Sequence, residues 1–163
     1  MSEAQPIAIG DGQLRPLEAA DAAPLAAALA AALAAIDPWA RLGYGAGALE
    51  RYLTREDPAL NRWAIERRGE VAGILALRSP WLRGPYVELF AVLPAHQGSG
   101  LGGAVMEWAA RRAAEVSRNL WACVSDFNAP ARAFYARHGF EEVGPLDGLV
   151  QPGVAEILLR KRL

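Results

Sequence analysis

The spacing of apolar residues changes along this chain, and the changes mark out its elements. Ile7-Ala8-Ile9 and Gln13-Leu14-Arg15-Pro16-Leu17 flank a Gly-Asp-Gly turn and predict a short first strand region. From 22 to 36 the bulkier Leu25, Leu29, Leu33 and Ile36 recur at helical spacing in an alanine-rich background. They predict a helix with that buried face, Asp21 as its N-cap and Asp37-Pro38 as its stop. A second short helix is expected over 46–54, with Leu49 and Leu53 on one side. Strands follow at 63–67 and 71–77, joined by a turn at Arg68-Gly69-Glu70, and at 86–92, ending at Pro94.

In the second half, Leu101, Val105, Trp108, Arg112 and Val116 form a mostly apolar stripe over a helix at 100–116. A strand is expected at 120–124. Asn128 can cap a helix running to 138, with Pro130 tolerated in its first turn and Gly139 ending it. Strands at 140–143 and 155–161 close the chain. The order β-α-α-β-β-β-α-β-α-β-β predicts an α/β chain: a mixed sheet with helices on its faces, in a single domain over 1–163.

Composition narrows the classes. The 163 residues are 53% hydrophobic with a net charge of −1, so no global field favours nucleic acid or an anionic membrane. The single cysteine, Cys123, lies in an apolar run. It cannot form an internal disulfide and reads as a small buried hydrophobe, which with the absence of a basic or apolar leader at 1–5 leads us to expect a cytoplasmic protein. The alanine run from Pro24 to Ile36 is apolar but short of the roughly 20 residues that a spanning helix needs. No Cys/His/Asp cluster has metal spacing, so no metal is expected. His96 in a turn and His138 near a helix C-terminus have structural explanations; a cation at the latter suits the helix dipole.

The chemistry concentrates at Gln97-Gly98-Ser99-Gly100-Leu101-Gly102-Gly103. A strand ends, a proline turns the chain, and a glycine-rich stretch opens a helix. Helix N-termini leave N–H groups unpaired, and glycines let backbone approach a ligand, so this loop suits phosphate oxygens. A tight strand-to-helix connection without a ligand would need similar residues. The lysine and Ser/Thr of a nucleotide-hydrolysing loop are missing, and the loop comes late for a dinucleotide fold, which demotes ATP, GTP and NAD.

The run from Phe90 to Gly102 resembles the acetyl-CoA motif of the GCN5-related N-acetyltransferases, the GNAT superfamily. Its core, Gln/Arg-x-x-Gly-x-Gly/Ala, is filled by Gln97, Gly100 and Gly102. The run from Asn128 to Phe140 resembles that family's second signature, Asn-x-x-Ala-x-x-x-Tyr-x-x-x-Gly-Phe. The resemblance implies a GNAT-type, mostly antiparallel sheet of about six to seven strands flanked by about four helices, splayed between 86–92 and 120–124. It implies acetyl-CoA as co-substrate and direct transfer to a primary amine in a ternary complex. The acceptor stays open: a small-molecule amine, an amino acid derivative, or a protein N-terminus or lysine. The segment Asp37-Pro38-Trp39 resembles enzymes that acetylate the N-terminus of a ribosomal protein. A non-catalytic acyl-CoA-binding or sensing module on the same fold is the alternative, and the fold also allows a homodimer.

The resemblance assigns the backbone amides of Gln97 to Gly103 to the CoA pyrophosphate. It assigns the backbone of Phe90, Ala91 and Val92, with Asn128, to the pantetheine arm, and places Ala131 and Phe134 near the arm or the adenine. Tyr135 is the expected acid that protonates the leaving thiolate. A base is expected for the ammonium, and Glu88 is the best candidate as the one acid inside the strand 86–92. The same residue can instead position a cationic substrate or sit on a solvated edge. Trp39 is an expected substrate contact; Tyr44, Trp81 and Tyr86 are weaker ones.

Overall fold

The computed structural model describes residues 5–18 and 22–163. Two strands, β1 (Ile7–Ile9) and β2 (Gly12–Pro16), precede helices α1 (Ala23–Ala34) and α2 (Ala46–Thr54). Strands β3 (Leu60–Arg67), β4 (Glu70–Arg78) and β5 (Tyr86–Val92) follow. The remainder is α3 (Leu101–Ala114), β6 (Asn119–Ser125), α4 (Ala129–Arg137), β7 (Phe140–Asp147) and β8 (Ala155–Arg162).

The eight strands among the described residues join one sheet in the order β1-β2-β3-β4-β5-β6-β8-β7, antiparallel throughout except between β5 and β6. The expected six to seven strands become eight because the first strand region is a hairpin of two. β7 also runs on from Phe140 through Gly144 and Pro145 to Asp147. An edge strand tolerates such residues, since one side of its backbone needs no partner. The turn between β3 and β4 places Arg68 and Gly69 at positive φ, 52° and 75°. This is the geometry a two-residue hairpin takes.

Helices cover both faces. On one face α1 and α2 pack Ala26, Leu29, Ala30, Leu33, Leu49 and Leu53 against Ala64, Ile74, Ala76, Leu89 and Ala91. Leu25 and Ile36 of the expected stripe are only partly buried, and the alanines at 26 and 30 take the closest approach instead. The N-cap expectation for Asp21 lies outside the described residues; α1 begins after Ala22, with Pro24 in its first turn. On the other face α3 and α4 pack Leu101, Val105, Met106, Ala109 and Tyr135 on Ile65, Leu75, Val87, Leu120 and Ala122. α3 stops at Ala114, so Val116, expected in its apolar stripe, lies beyond it and is 75% exposed. Arg112 holds its place in the stripe by reaching over the rings of Trp63 and Trp108, at 5.7 and 5.5 Å.

Two irregularities in β5 create the site. Leu77 stands opposite Val87 while its neighbour Ala76 stands opposite Leu89, so Glu88 is an extra residue, a β-bulge. Val87 therefore faces the α3 side and Leu89 the α1/α2 side, with Glu88 between them. The parallel pairing with β6 covers only Tyr86↔Trp121 and Val87↔Ala122 and stops at this bulge. Beyond it the two strands part, which is the expected splay.

Candidate functional site

The glycine loop sits where β5 turns into α3. A short helical turn at Pro94–His96 leads into Gln97, whose side chain Nε2 donates to the carbonyl of Val92 at 2.8 Å. Ser99 Oγ donates to the carbonyl of His96 at 2.8 Å, closing the loop on itself. Gly98 and Gly100 have φ of 76° and 81°, and open space lies where a side chain would start. Among the described residues none accepts from the N–H groups of Gly98, Ser99, Gly100, Leu101, Gly102 or Gly103; the first amide of the helix with a partner is that of Ala104, to Gly100 at 3.1 Å. Six N–H groups at a helix start, with the partial positive charge of its dipole, fit the oxygens of a pyrophosphate.

Phe90, Val92 and Phe134 close the floor beneath this loop. A Cβ on Gly102 would stand 3.4 to 3.7 Å from all three, so the loop rests directly on them. Phe134 packs against Phe90 at 5.6 Å and His138 at 4.5 Å between ring centroids. His138 also abuts Gly103, and burial followed by nearby Lys161 lowers its pKa. The cation at this helix end is Lys161, whose Nζ donates to the His138 carbonyl at 2.6 Å, rather than the imidazole. The side chain of Ala91 points into the α1/α2 core, leaving its backbone for a ligand. His96 is buried 3.5 Å from Glu70, away from the loop's open side.

From the splay a cleft of about 370 Å³ opens on the α1/α2 face. Trp39, Tyr44, Tyr52, Tyr86, Glu88, Phe90, Cys123, Ser125, Asn128, Ala131, Tyr135 and Glu156 all contribute to its wall. The Asn128 side chain accepts from the N–H of Ala131 at 3.3 Å, so the expected cap role holds and its amide still borders the cleft. Trp39 and Tyr44 ride on the segment after α1. That segment is tied to the residue before Asn128 by Arg41, whose guanidinium lies 3.9 Å over the Phe127 ring. Trp81 is not in the wall but stacks on Tyr86 at 4.6 Å behind it.

Tyr135 and Glu88 differ sharply in their surroundings. The Tyr135 ring packs edge-on against Phe134 and Phe140, and burial, then Cys123, pushes its pKa up. The phenol stays protonated, and its hydroxyl has no hydrogen-bond partner among the described residues. Glu88 is fully engaged. Its Oε1 accepts from Tyr52 at 3.0 Å and from Arg78 Nη2 at 3.1 Å, and its Oε2 accepts from Arg78 Nε. Arg78 also holds Asp57 at 3.0 Å.

Three residues of this wall were not expected in it. Tyr52 looked like one more residue of a short helix. Cys123 is half-buried and bounds the cleft with Tyr86, instead of being sealed in the core. Glu156 is 8% exposed and accepts from Ser125 Oγ at 2.6 Å. Its signal was present: an acid inside an apolar strand, the same pattern that singled out Glu88. Among the described residues no group of His, Cys, Asp and Glu is placed to hold a metal. No helix among them is long and apolar enough to cross a membrane.

Residues 27–140 match the model of the acetyltransferase (GNAT) family. The chain belongs to this family. The GNAT match spans the splay, the glycine loop and Tyr135 together. The streptothricin acetyltransferase of Streptomyces lavendulae is 37% identical over 94 residues, 56% of this chain and 49% of its own length. The chain thus spans about half the length of this curated relative. An acetyltransferase of Thermus thermophilus superposes with a TM-score of 0.75 at 24% identity, over 95% of this chain and 99% of its own. A GNAT acetyltransferase of Elizabethkingia anophelis with acetyl-CoA bound superposes with a TM-score of 0.65 at 18% identity, over 94% and 99%. GNAT enzymes draw their acetyl group from acetyl-CoA, and the unpaired amides at 98–103 are suited to that donor's pyrophosphate.

Proposed function

We propose that this chain moves an acetyl group from acetyl-CoA to a primary amine by direct attack within a ternary complex, in the cytoplasm. The single observation that carries this is the floor that the loop and the cleft share. The amides left unpaired at 98–103 among the described residues stand over Phe90, and Phe90 also lines the cleft with Asn128, Ala131 and Tyr135. Gln97 to Gly103 would hold the pyrophosphate. The backbone of Phe90, Ala91 and Val92, with Asn128, would take the pantetheine arm, and Ala131 and Phe134 would pack beside it. Tyr135 would give its proton to the departing sulfur.

The wall also bears on the acceptor. Among the described residues it contains two carboxylates, Glu88 and Glu156, several aromatic rings and no lysine or arginine. That lining suits a cationic amine resting against Trp39, Tyr44 and Tyr86. Of the two site roles expected for Glu88, its ion pair with Arg78 and its hydrogen bond from Tyr52 favour positioning the cation over taking its proton. Streptothricin is the first acceptor to try, because a relative is named for it.

The test is thiol release from acetyl-CoA with a panel of streptothricin, diamines, amino acids and peptides with free N-termini. Amine-dependent release is the expected result. Tight acetyl-CoA binding with no amine-dependent release across the panel would favour a binding module on the same fold.

A further inference from the structure

We infer that Glu156 takes the proton from the acceptor ammonium, an assignment that rests on the acetyltransferase reading above. Ser125 and Glu156 are Cα partners across β6 and β8, so their side chains share a face. Leu120, Ala122 and Val124 point to the α3 side, which puts Cys123, Ser125 and Glu156 on the cleft side. Ser125 Oγ fixes Oε1 at 2.6 Å, while Oε2 bonds no group among the described residues. The supporting backbone is held on both sides: Asp126 N–H donates to the Ala155 carbonyl at 2.9 Å, and Ala155 N–H to Asp126 Oδ2 at 3.3 Å.

Glu156 is the wall's carboxylate without a cation. Glu88 is bound by Arg78 and Tyr52, whereas no salt bridge reaches Glu156 among the described residues. The charged and titratable groups around it are Asp126 after β6, Cys123 on β6, Tyr86 and Glu88 on β5, and Tyr135 on α4. Leu146, opposite it on β7, carries no charge. Burial and Asp126 raise its pKa, which moves a carboxyl toward the range where a base works at neutral pH. In the step, the ammonium proton passes to Glu156. The freed lone pair forms the C–N bond as the C–S bond breaks. The thiolate takes the Tyr135 proton, the nitrogen's surplus proton restores Tyr135, and Glu156 returns its own to water.

The experiment uses an amine that the wild-type protein acetylates in the thiol-release panel. Glu156→Gln should lower kcat/KM at pH 7 by about 10²-fold or more. The loss should shrink as pH rises toward the amine's own pKa, where the free base forms unaided. Acetyl-CoA affinity within twofold of wild type reports an intact fold. A wild-type pH profile in a variant that binds acetyl-CoA overturns the assignment. If Glu156→Gln fails to fold, Ser125→Ala decides: loss of the hydroxyl donor should move the acidic limb of kcat/KM to higher pH, and an unmoved limb overturns it. A second readout needs no turnover. In ¹³C-labelled protein without ligand, the Glu156 carboxyl should titrate above the ordinary glutamate range, and an ordinary value overturns the assignment. No amine-dependent release by the wild-type protein would overturn the acetyltransferase reading and Glu156 with it. Release with an unaffected Glu156→Gln variant would overturn Glu156 alone.

Discussion

The side chain of Gln97 donates to the carbonyl of Val92 at 2.8 Å, tying the glycine loop back to the end of the strand it leaves. The bond fixes where the amides after Gln97 point. A single neutral hydrogen bond is worth about 1 kcal/mol net, or about fivefold in a binding constant. Gln97→Ala should therefore melt about 2–4 °C lower and, with the amides no longer held in place before the ligand arrives, weaken acetyl-CoA binding by up to about fivefold by calorimetry. An unchanged Kd would show that the loop is held without this tie.

Gly100 sits at φ 81° immediately before α3, with nothing near the position of a Cβ. An alanine there would meet no clash but would strain the left-handed backbone by about 1 kcal/mol. Gly100→Ala should melt about 2–4 °C lower. It should also lose more acetyl-CoA affinity than Gln97→Ala, because relieving the strain turns the amides at 101–103 away from their common focus. Equal affinities for the variant and the wild-type protein would mean that those amides do not bind the donor.

Much of this site could be read from sequence because its parts are local. The glycine loop is one run at 97–103, the N-cap Asn128 and Tyr135 lie on one short helix, and α2 and β5 fall within the limits their apolar spacing predicts. What escaped depends on register between distant strands. Glu88 is aimed by a bulge defined only by its pairing with Leu77 and Ala76. Its partner Arg78 lies on another strand and Tyr52 on a helix. Glu156 meets Ser125 across 31 positions of sequence. Alternation says that such an acid faces one side of a sheet; it does not say what shares that side. Val116 failed for the opposite reason: periodicity continues in the sequence after the helix has ended at Ala114.

Tyr135 offers a proton from a hydroxyl that no group among the described residues engages, on a ring held by Phe134 and Phe140. Tyr135→Phe keeps the ring and its packing. It should lower kcat by about 10–10²-fold and leave the acetyl-CoA Kd within twofold. The raised pKa of the phenol means that activity should not fall through its ionisation below about pH 10, its unperturbed value. Wild-type kcat in the phenylalanine variant would remove Tyr135 as the acid.

Glu88 is built into a network with Arg78, Tyr52 and Asp57. Glu88→Gln keeps the shape and removes the charge. If Glu88 positions a cationic acceptor, the variant should raise KM for the amine several-fold and change kcat less than twofold. Loss of the pH dependence set by amine deprotonation would instead return the role of base to Glu88.

The last prediction concerns stability without any ligand. Burial raises the pKa of Glu156, so its neutral form suits the fold better than its carboxylate. A group raised in this way contributes stability that is fully present below its unfolded pKa and is lost as pH rises through the folded value. At pH 4 the wild-type protein and Glu156→Gln should melt together, because both carry a neutral side chain there. Once pH has risen through the raised folded value, the wild-type protein holds a carboxylate that is 8% exposed and that no salt bridge reaches among the described residues. The amide variant does not, and should melt higher by about 2–4 °C, the shift that roughly 1 kcal/mol gives in a chain of this length. A difference in melting temperature that is the same below and above that value would mean that Glu156 is not ionising within the fold, and would count against its use as a base.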